Sequence, residues 1–245
     1  MNMSEIFQLP PRWIPAPFAW QNYREAVTII PFGRYFLNSL VVVMTTLAGS
    51  VLTCSLAAFS FSRLRWRGRD PIFLILLTSL MMPYAVTLIP TFVLWKYLGG
   101  INTFMPLIVP SWFGTGVGGV FNIFLLRQFF LTIPFELDEA AYMDGAAPLA
   151  VYWFLIMPLS TPVLVAVIVT TFGWAWNDLL SPLVYLIDSN KFTLAIGLAE
   201  FNSAYSIRWD LLMAASIVVI VPVFALFFAL QRFFIQGIVL TGLKG

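Results

Sequence analysis

The chain has 245 residues, 60% of them hydrophobic and 10% charged, and its mean hydropathy is +0.91. A soluble domain of this length could not hide that much apolar surface in one core, so lipid is expected to be the solvent for much of it. Thirteen Lys plus Arg against eleven Asp plus Glu leave a net charge of only +2, with no basic run interleaved with aromatics, which excludes a nucleic-acid partner. The single cysteine, Cys54, and the absence of histidine exclude disulfides within the chain, Ser/His dyads and His-ligated metal or haem sites.

Residues 1–35 carry Arg12, Arg24 and Arg34 and no apolar run long enough to cross a bilayer or act as a signal. Five charge-free stretches then reach the roughly 20 residues that a helical span needs: 36–61, 71–95, 104–126, 149–176 and 211–230. Between the first two lie Arg63, Arg65, Arg67 and Arg69 in one short loop, a density that holds the loop in the cytoplasm. By alternation, residues 1–35, 96–103 and 177–210 are expected outside, and the loop 127–148 and the tail after Gln231 inside. The apolar run 179–187 is too short to cross and contains Pro182, so it reads as a re-entrant or interfacial segment. Pro83, Pro90, Pro106, Pro110, Pro158, Pro162 and Pro222 fall within spans, where each removes a helical hydrogen bond and favours a kink.

The loop 127–148 departs from the positive balance usual for cytoplasmic loops: Glu136, Asp138, Glu139 and Asp144 face Arg127 alone, minus four plus one, or minus three. Pro134 suits a first helical turn, Glu136 and Asp138 favour the positive end of its dipole, and Gly145 suits the left-handed residue that closes it before Pro148 opens the next helix. An acidic helix gains nothing beside an anionic leaflet, so a basic cytosolic protein is the expected partner, with Ala140 and Ala141 leaving a small face for close packing. An ordinary solvated acidic helix is the alternative. A Mg²⁺ or Ca²⁺ site is disfavoured, because Glu136 and Asp138 diverge on a helix and no ligand-rich loop follows.

Glu139, Ala140 and Ala141, then three residues, Gly145, nine residues, and Leu155, Ile156, Met157 and Pro158 resemble the EAA signature of the inner-membrane subunits of binding-protein-dependent ABC importers. The match departs only by apolar exchange at Leu155 and Met157. Asn22 and Tyr23, Asn38 and Ser39, residues 57–63, Pro90, Ile133 and Pro134, Asp144 to Ala146, Pro158 and Leu159, Trp176 to Asp178, Pro182 and Leu183, and the tail 237–245 resemble the carbohydrate branch, especially the maltose-type subunit with a short Gly-rich tail. The resemblance implies an all-α type I importer core in a bacterial or archaeal inner membrane. It further implies a second permease, two cytosolic ATPases and an extracytoplasmic solute-binding protein. ATP and Mg would be used by the ATPases, and no cofactor would be bound by this chain. By the same resemblance, Glu136, Glu139, Ala140, Ala141, Asp144, Gly145 and Pro158 belong to the ATPase-coupling loop, and Gly242, Lys244 and Gly245 lie near the ATPase dimer. Relatives have six spans, so the native reading frame is expected to supply one further apolar helix ahead of Met1, with residues 1–35 as the extracytoplasmic stretch that follows it; a genuine five-span subunit is the alternative.

Asn122, Trp176, Asn177, Asp178 and Tyr185 pair aromatic faces with hydrogen-bonding groups, a combination suited to a sugar, although interfacial Trp and Tyr also serve as membrane anchors. An intramembrane protease would need acidic residues or a Ser/His dyad in the spans, and the five stretches contain neither acid nor histidine. A secondary transporter or channel not coupled to ATP is the remaining alternative, though such proteins usually carry ionisable residues at mid-membrane.

Overall fold

The computed structural model describes residues 18–203 and 206–242. Every regular element among the described residues is helical apart from a two-residue pairing of β1 (Asn202–Ser203) with β2 (Ser206–Ile207) in the loop before the last helix. A short helix α1 (Gln21–Thr28) precedes α2 (Phe32–Arg63), and a long α12 (Trp209–Gly242) closes the described chain. Helix α2 and the Trp209–Arg232 part of α12 are each long and apolar enough to cross a membrane unaided.

Proline and glycine break the other apolar stretches, as their backbone chemistry requires. The stretch 71–95 is two helices, α3 (Arg69–Thr78) and α4 (Tyr84–Tyr97), bent by 100° at Pro83. The stretch 149–176 is likewise α8 (Pro148–Leu159), containing a π-turn at Val151–Ile156, and α9 (Thr161–Trp176), bent by 79° where Pro158 and Pro162 remove successive helical donors. The stretch 104–126 is not one continuous helix. It opens with the single turn α5 (Met105–Ile108) and a 3-10 turn at Val109–Phe113, and only α6 (Gly119–Thr132) is a sustained helix. Gly114 and Gly118 sit at φ +69° and +68°, left-handed angles that end a right-handed helix whatever its hydropathy. Helix α6 also runs on to Thr132, so Arg127 belongs to the helix and not to the loop. The run 179–187 contains the short α10 (Leu180–Tyr185), and α11 (Leu194–Glu200) follows it.

Between lipid-solvated helices the apolar effect gives no net attraction, so close packing and interhelical hydrogen bonds must hold the bundle. Ser50, Cys54, Ala58 and Ser62 repeat every fourth residue along α2 and are all buried, forming a small-residue seam beside α6. The Cys54 thiol lies 3.4 Å from the Gly119 carbonyl, and a Cβ at Gly49 would meet the Trp112 ring at 2.7 Å. Asn122, fully buried, donates to Ser50 (3.1 Å) and Thr171 (2.9 Å), tying α6 to α2 and α9. Outward, α3, α4 and α12 expose Leu74, Ile75, Ile89, Val221 and Phe228, a surface that fits lipid or another apolar subunit.

Candidate functional site

Two features stand out, one at each level of the bundle. The first is the acidic helix α7 (Glu136–Met143), which follows α6 at an angle of 78°. Its C-terminus is a Schellman turn: Ala146 N–H donates to the Ala141 carbonyl (2.9 Å) and Gly145 N–H to the Tyr142 carbonyl (3.0 Å), with Gly145 at φ +85°. Ala141 and Ala146 pack together on the bundle's core. Glu136, Glu139, Ala140, Asp144 and Gly145 are exposed, alongside Leu137, Tyr142 and the 88%-exposed Met143.

Asp138 points the other way. Its carboxylate is buried 3.3 Å from the Arg63 guanidinium, which also donates to the carbonyls of Phe130 (2.5 Å) and Ile133 (2.7 Å) and lies over the Phe135 ring. Burial pushes the Asp138 carboxyl above its ordinary pKa, and the Arg63 charge pulls it back. Removing one member of such a pair leaves an uncompensated buried charge and typically costs about 3–5 kcal/mol. A second arginine repeats the arrangement nearby: Arg127 donates to the Phe61 carbonyl (3.1 Å), pairs with Asp70 at 3.6 Å and covers the Phe73 ring. The loop's excess charge is therefore carried by Glu136, Glu139 and Asp144, because Asp138 is neutralised from within.

The second feature is a cleft of about 1210 Å³ between α4, the 105–118 segment, α6, α9 and α10. Tyr84, Trp95, Phe113, Phe121, Trp174 and Tyr185 give it aromatic walls, and Thr87, Thr91, Thr115 and Ser181 add hydroxyls. Tyr185 stacks on Phe92 and shares a 3.1 Å hydrogen bond with Thr91; Tyr84 and Ser181 are 3.3 Å apart. Asp178 lines the cleft and accepts from the Ser181 N–H (3.1 Å).

Residues 49–239 match the family model described as the binding-protein-dependent transport system inner membrane component. The chain belongs to this family. It is a transport permease, and the family supports an ABC importer subunit over a secondary transporter or channel. The permease is 31% identical over 250 residues to the probable ABC transporter permease protein YurM of Bacillus subtilis, covering 100% of this chain and 80% of the relative. It is 31% identical over 247 residues to the sn-glycerol-3-phosphate transport system permease protein UgpE of Yersinia enterocolitica (98% and 86%). Over 210 residues it is 34% identical to the arabinooligosaccharides transport system permease protein AraQ of Halalkalibacterium halodurans (86% and 72%). The fold matches a crystal structure of a bacterial ABC transporter that imports the acidic polysaccharide alginate, with a TM-score of 0.76 and 22% identity over 90% of this chain and 81% of that one.

Within this permease the residues expected for coupling are gathered on α7 and its closing turn, with Pro158 exposed at the break between α8 and α9. Gly242 ends α12, while Lys244 and Gly245 lie outside the described residues. The five pathway candidates divide. Asp178 and Tyr185 line the cleft. Asn122 is locked between three helices, and Trp176 stacks on Phe172 and donates to the Val219 carbonyl (3.1 Å). Asn177 donates to the Gly173 carbonyl (2.8 Å) at the end of α9. Sequence reasoning missed Tyr84, Thr87, Thr91 and Trp95. Their three- and four-residue spacing along α4 was the available signal, a hydroxyl and aromatic stripe hidden in a uniformly apolar stretch.

Proposed function

We propose that this permease forms half of the translocation pathway of an ATP-driven carbohydrate importer, assembled with a second permease, two cytosolic ATPases and an extracytoplasmic solute-binding protein in a bacterial or archaeal inner membrane. The observation that carries this reading is the split of adjacent acids on α7: Asp138 is buried against Arg63, while Glu139 and Ala140 are presented outward. A helix fixed to its own bundle by one acid and offering the next is suited to dock on a basic cleft in an ATPase. ATP and Mg are used by that partner, and this chain binds no cofactor. Gly242, Lys244 and Gly245 remain proposed neighbours of the ATPase pair.

The sugar class draws support from the relatives named for arabinooligosaccharides and sn-glycerol-3-phosphate. It also draws on the cleft, whose aromatic faces and hydroxyls fit the apolar faces and hydroxyls of a saccharide. Within the pathway we place Asp178 and Tyr185 with Tyr84, Thr91 and Trp95. Affinity purification of the tagged chain from its native host should bring down a second permease and two ATPases. Recovery of the chain alone, or as a homo-oligomer without ATPase, would overturn the reading. The proposed orientation has its own test. A membrane-impermeant maleimide should reach Asn190→Cys, and not Gly68→Cys, from outside intact cells, and the reverse pattern would invert the topology.

A further inference from the structure

Helix α2 carries polar contacts at both ends to elements that lie on opposite sides of the bundle. At one end its last residue, Arg63, is joined to the ends of two other helices: to the C-terminal carbonyls of α6 through Phe130 and Ile133, and to α7 through Asp138. A guanidinium is well matched to this place, since its planar fork can bind carbonyls and a carboxylate together and its charge opposes the negative end of the α6 dipole. Nearly two helical turns from its other end, Asn38 donates to the carbonyls of Asn190 (2.9 Å) and Phe192 (3.0 Å), and the Ser39 hydroxyl accepts from the Leu194 N–H (2.8 Å). Residues 190–194 belong to the loop placed outside, whose Lys191 and Asp188 are in turn held by Asn102. From Asn38 to Arg63 the helix is uninterrupted and free of proline, a length of about 38 Å at 1.5 Å per residue. Of the two covalent routes from the coupling helix into the bundle, α6 meets α7 at 78°, and the path through α8 and α9 is bent by 79° and includes a π-turn.

We infer that α2 is a rigid strut between the coupling helix and the extracytoplasmic loop, and that Arg63 is the positioning residue that fastens its inner end. A displacement of α7 on the ATPase would then be delivered to residues 188–194 with little lost in bending, and the outer loop would feed back on α7 by the same rod. This inference rests on the docking of α7 proposed above.

The test uses the complete purified transporter in proteoliposomes, with Ile187→Cys as a reporter in the outer loop, where Ile187 is 71% exposed and the native Cys54 is buried. The labelling rate by an impermeant maleimide is compared between nucleotide-free transporter and transporter trapped with Mg-ATP and vanadate. With α2 fastened, the ratio of the two rates should depart from unity by at least about five-fold, the low end of ordinary site-to-site coupling. In Arg63→Gln/Asp138→Asn, which removes both buried charges together, the ratio should fall to about one while trapped nucleotide is unchanged, a separation that a purely structural role would not produce. Asn38→Ala at the outer end removes no charge; it should abolish the ratio equally and add nothing to the double variant, and it alone decides the matter if the double variant fails to assemble. Full nucleotide dependence in these variants overturns the strut, as does an unchanging reporter in the parent with ATPase bound. Failure of any ATPase to copurify overturns the docking reading instead.

Discussion

Gly145→Val is expected to reduce ATP-driven transport at least about ten-fold, the effect of roughly 1.4 kcal/mol on a rate, while membrane insertion and abundance stay at parental levels. The cost is conformational. A Cβ built at Gly145 meets nothing within 4 Å, yet the residue sits at φ +85°, where an L-residue with a branched side chain is strongly disfavoured. Relieving that angle would open the Schellman turn, releasing the Tyr142 and Ala141 carbonyls and re-aiming the exposed face of α7. Gly145→Asn should therefore keep most activity, because asparagine tolerates the left-handed region. Glu139→Lys approaches the same surface electrostatically: it reverses an exposed charge without altering the turn and should lose transport to a similar degree. Uptake and ATPase binding, measured on all three variants, decide the assignment; wild-type uptake by Gly145→Val or by Glu139→Lys would remove α7 from the coupling role.

Gly119→Ala is expected to destabilise the solubilised permease by about 1–3 kcal/mol, the usual range for overpacking a tight interior. The added methyl would lie 2.2 Å from the Gly114 carbonyl oxygen, a backbone atom that cannot swing aside as a side chain would. Gly119 also stands where α6 meets the small-residue seam of α2, so any shift would disturb the Cys54 contact and the Asn122 bridge one turn on. Gly173→Ala is the matched control: it too lies in a helix, but its Cβ would meet nothing, and alanine there should be neutral or stabilising by up to about 1 kcal/mol. Thermal unfolding in one detergent compares the two directly. Equal midpoints would show that the 114–119 segment can yield, contrary to the packing described.

The sequence by itself determined the solvent, the helical class and the family signature. Lipid as solvent follows from summed composition, and helices follow because a backbone in hydrocarbon must satisfy its own hydrogen bonds. The closing turn of α7 was equally legible, since left-handed geometry after a short helix is a local demand that Gly145 meets. The breaks at Pro83 and between Pro158 and Pro162 are local for the same reason. At 104–126 hydropathy gave no warning that Gly114 and Gly118 would take left-handed angles and interrupt the helix.

Only the tertiary structure decided which polar side chains face inward. Asp138 and Glu139 are neighbours of one charge, and nothing local says that the first is buried. Its partner Arg63 lies 75 positions away, at the end of a different helix. In the sequence Arg63 marks which side of the membrane a loop occupies; in the fold it becomes a buried anchor because α2 ends beneath the free carbonyls of α6. Asn122 likewise belongs to the packing because Ser50 and Thr171 arrive from two other helices. The cleft exists only where α4, α6, α9 and α10 leave space between them. Each of these depends on contacts between distant segments, whereas hydropathy, helix capping and motif spacing are properties of short ones.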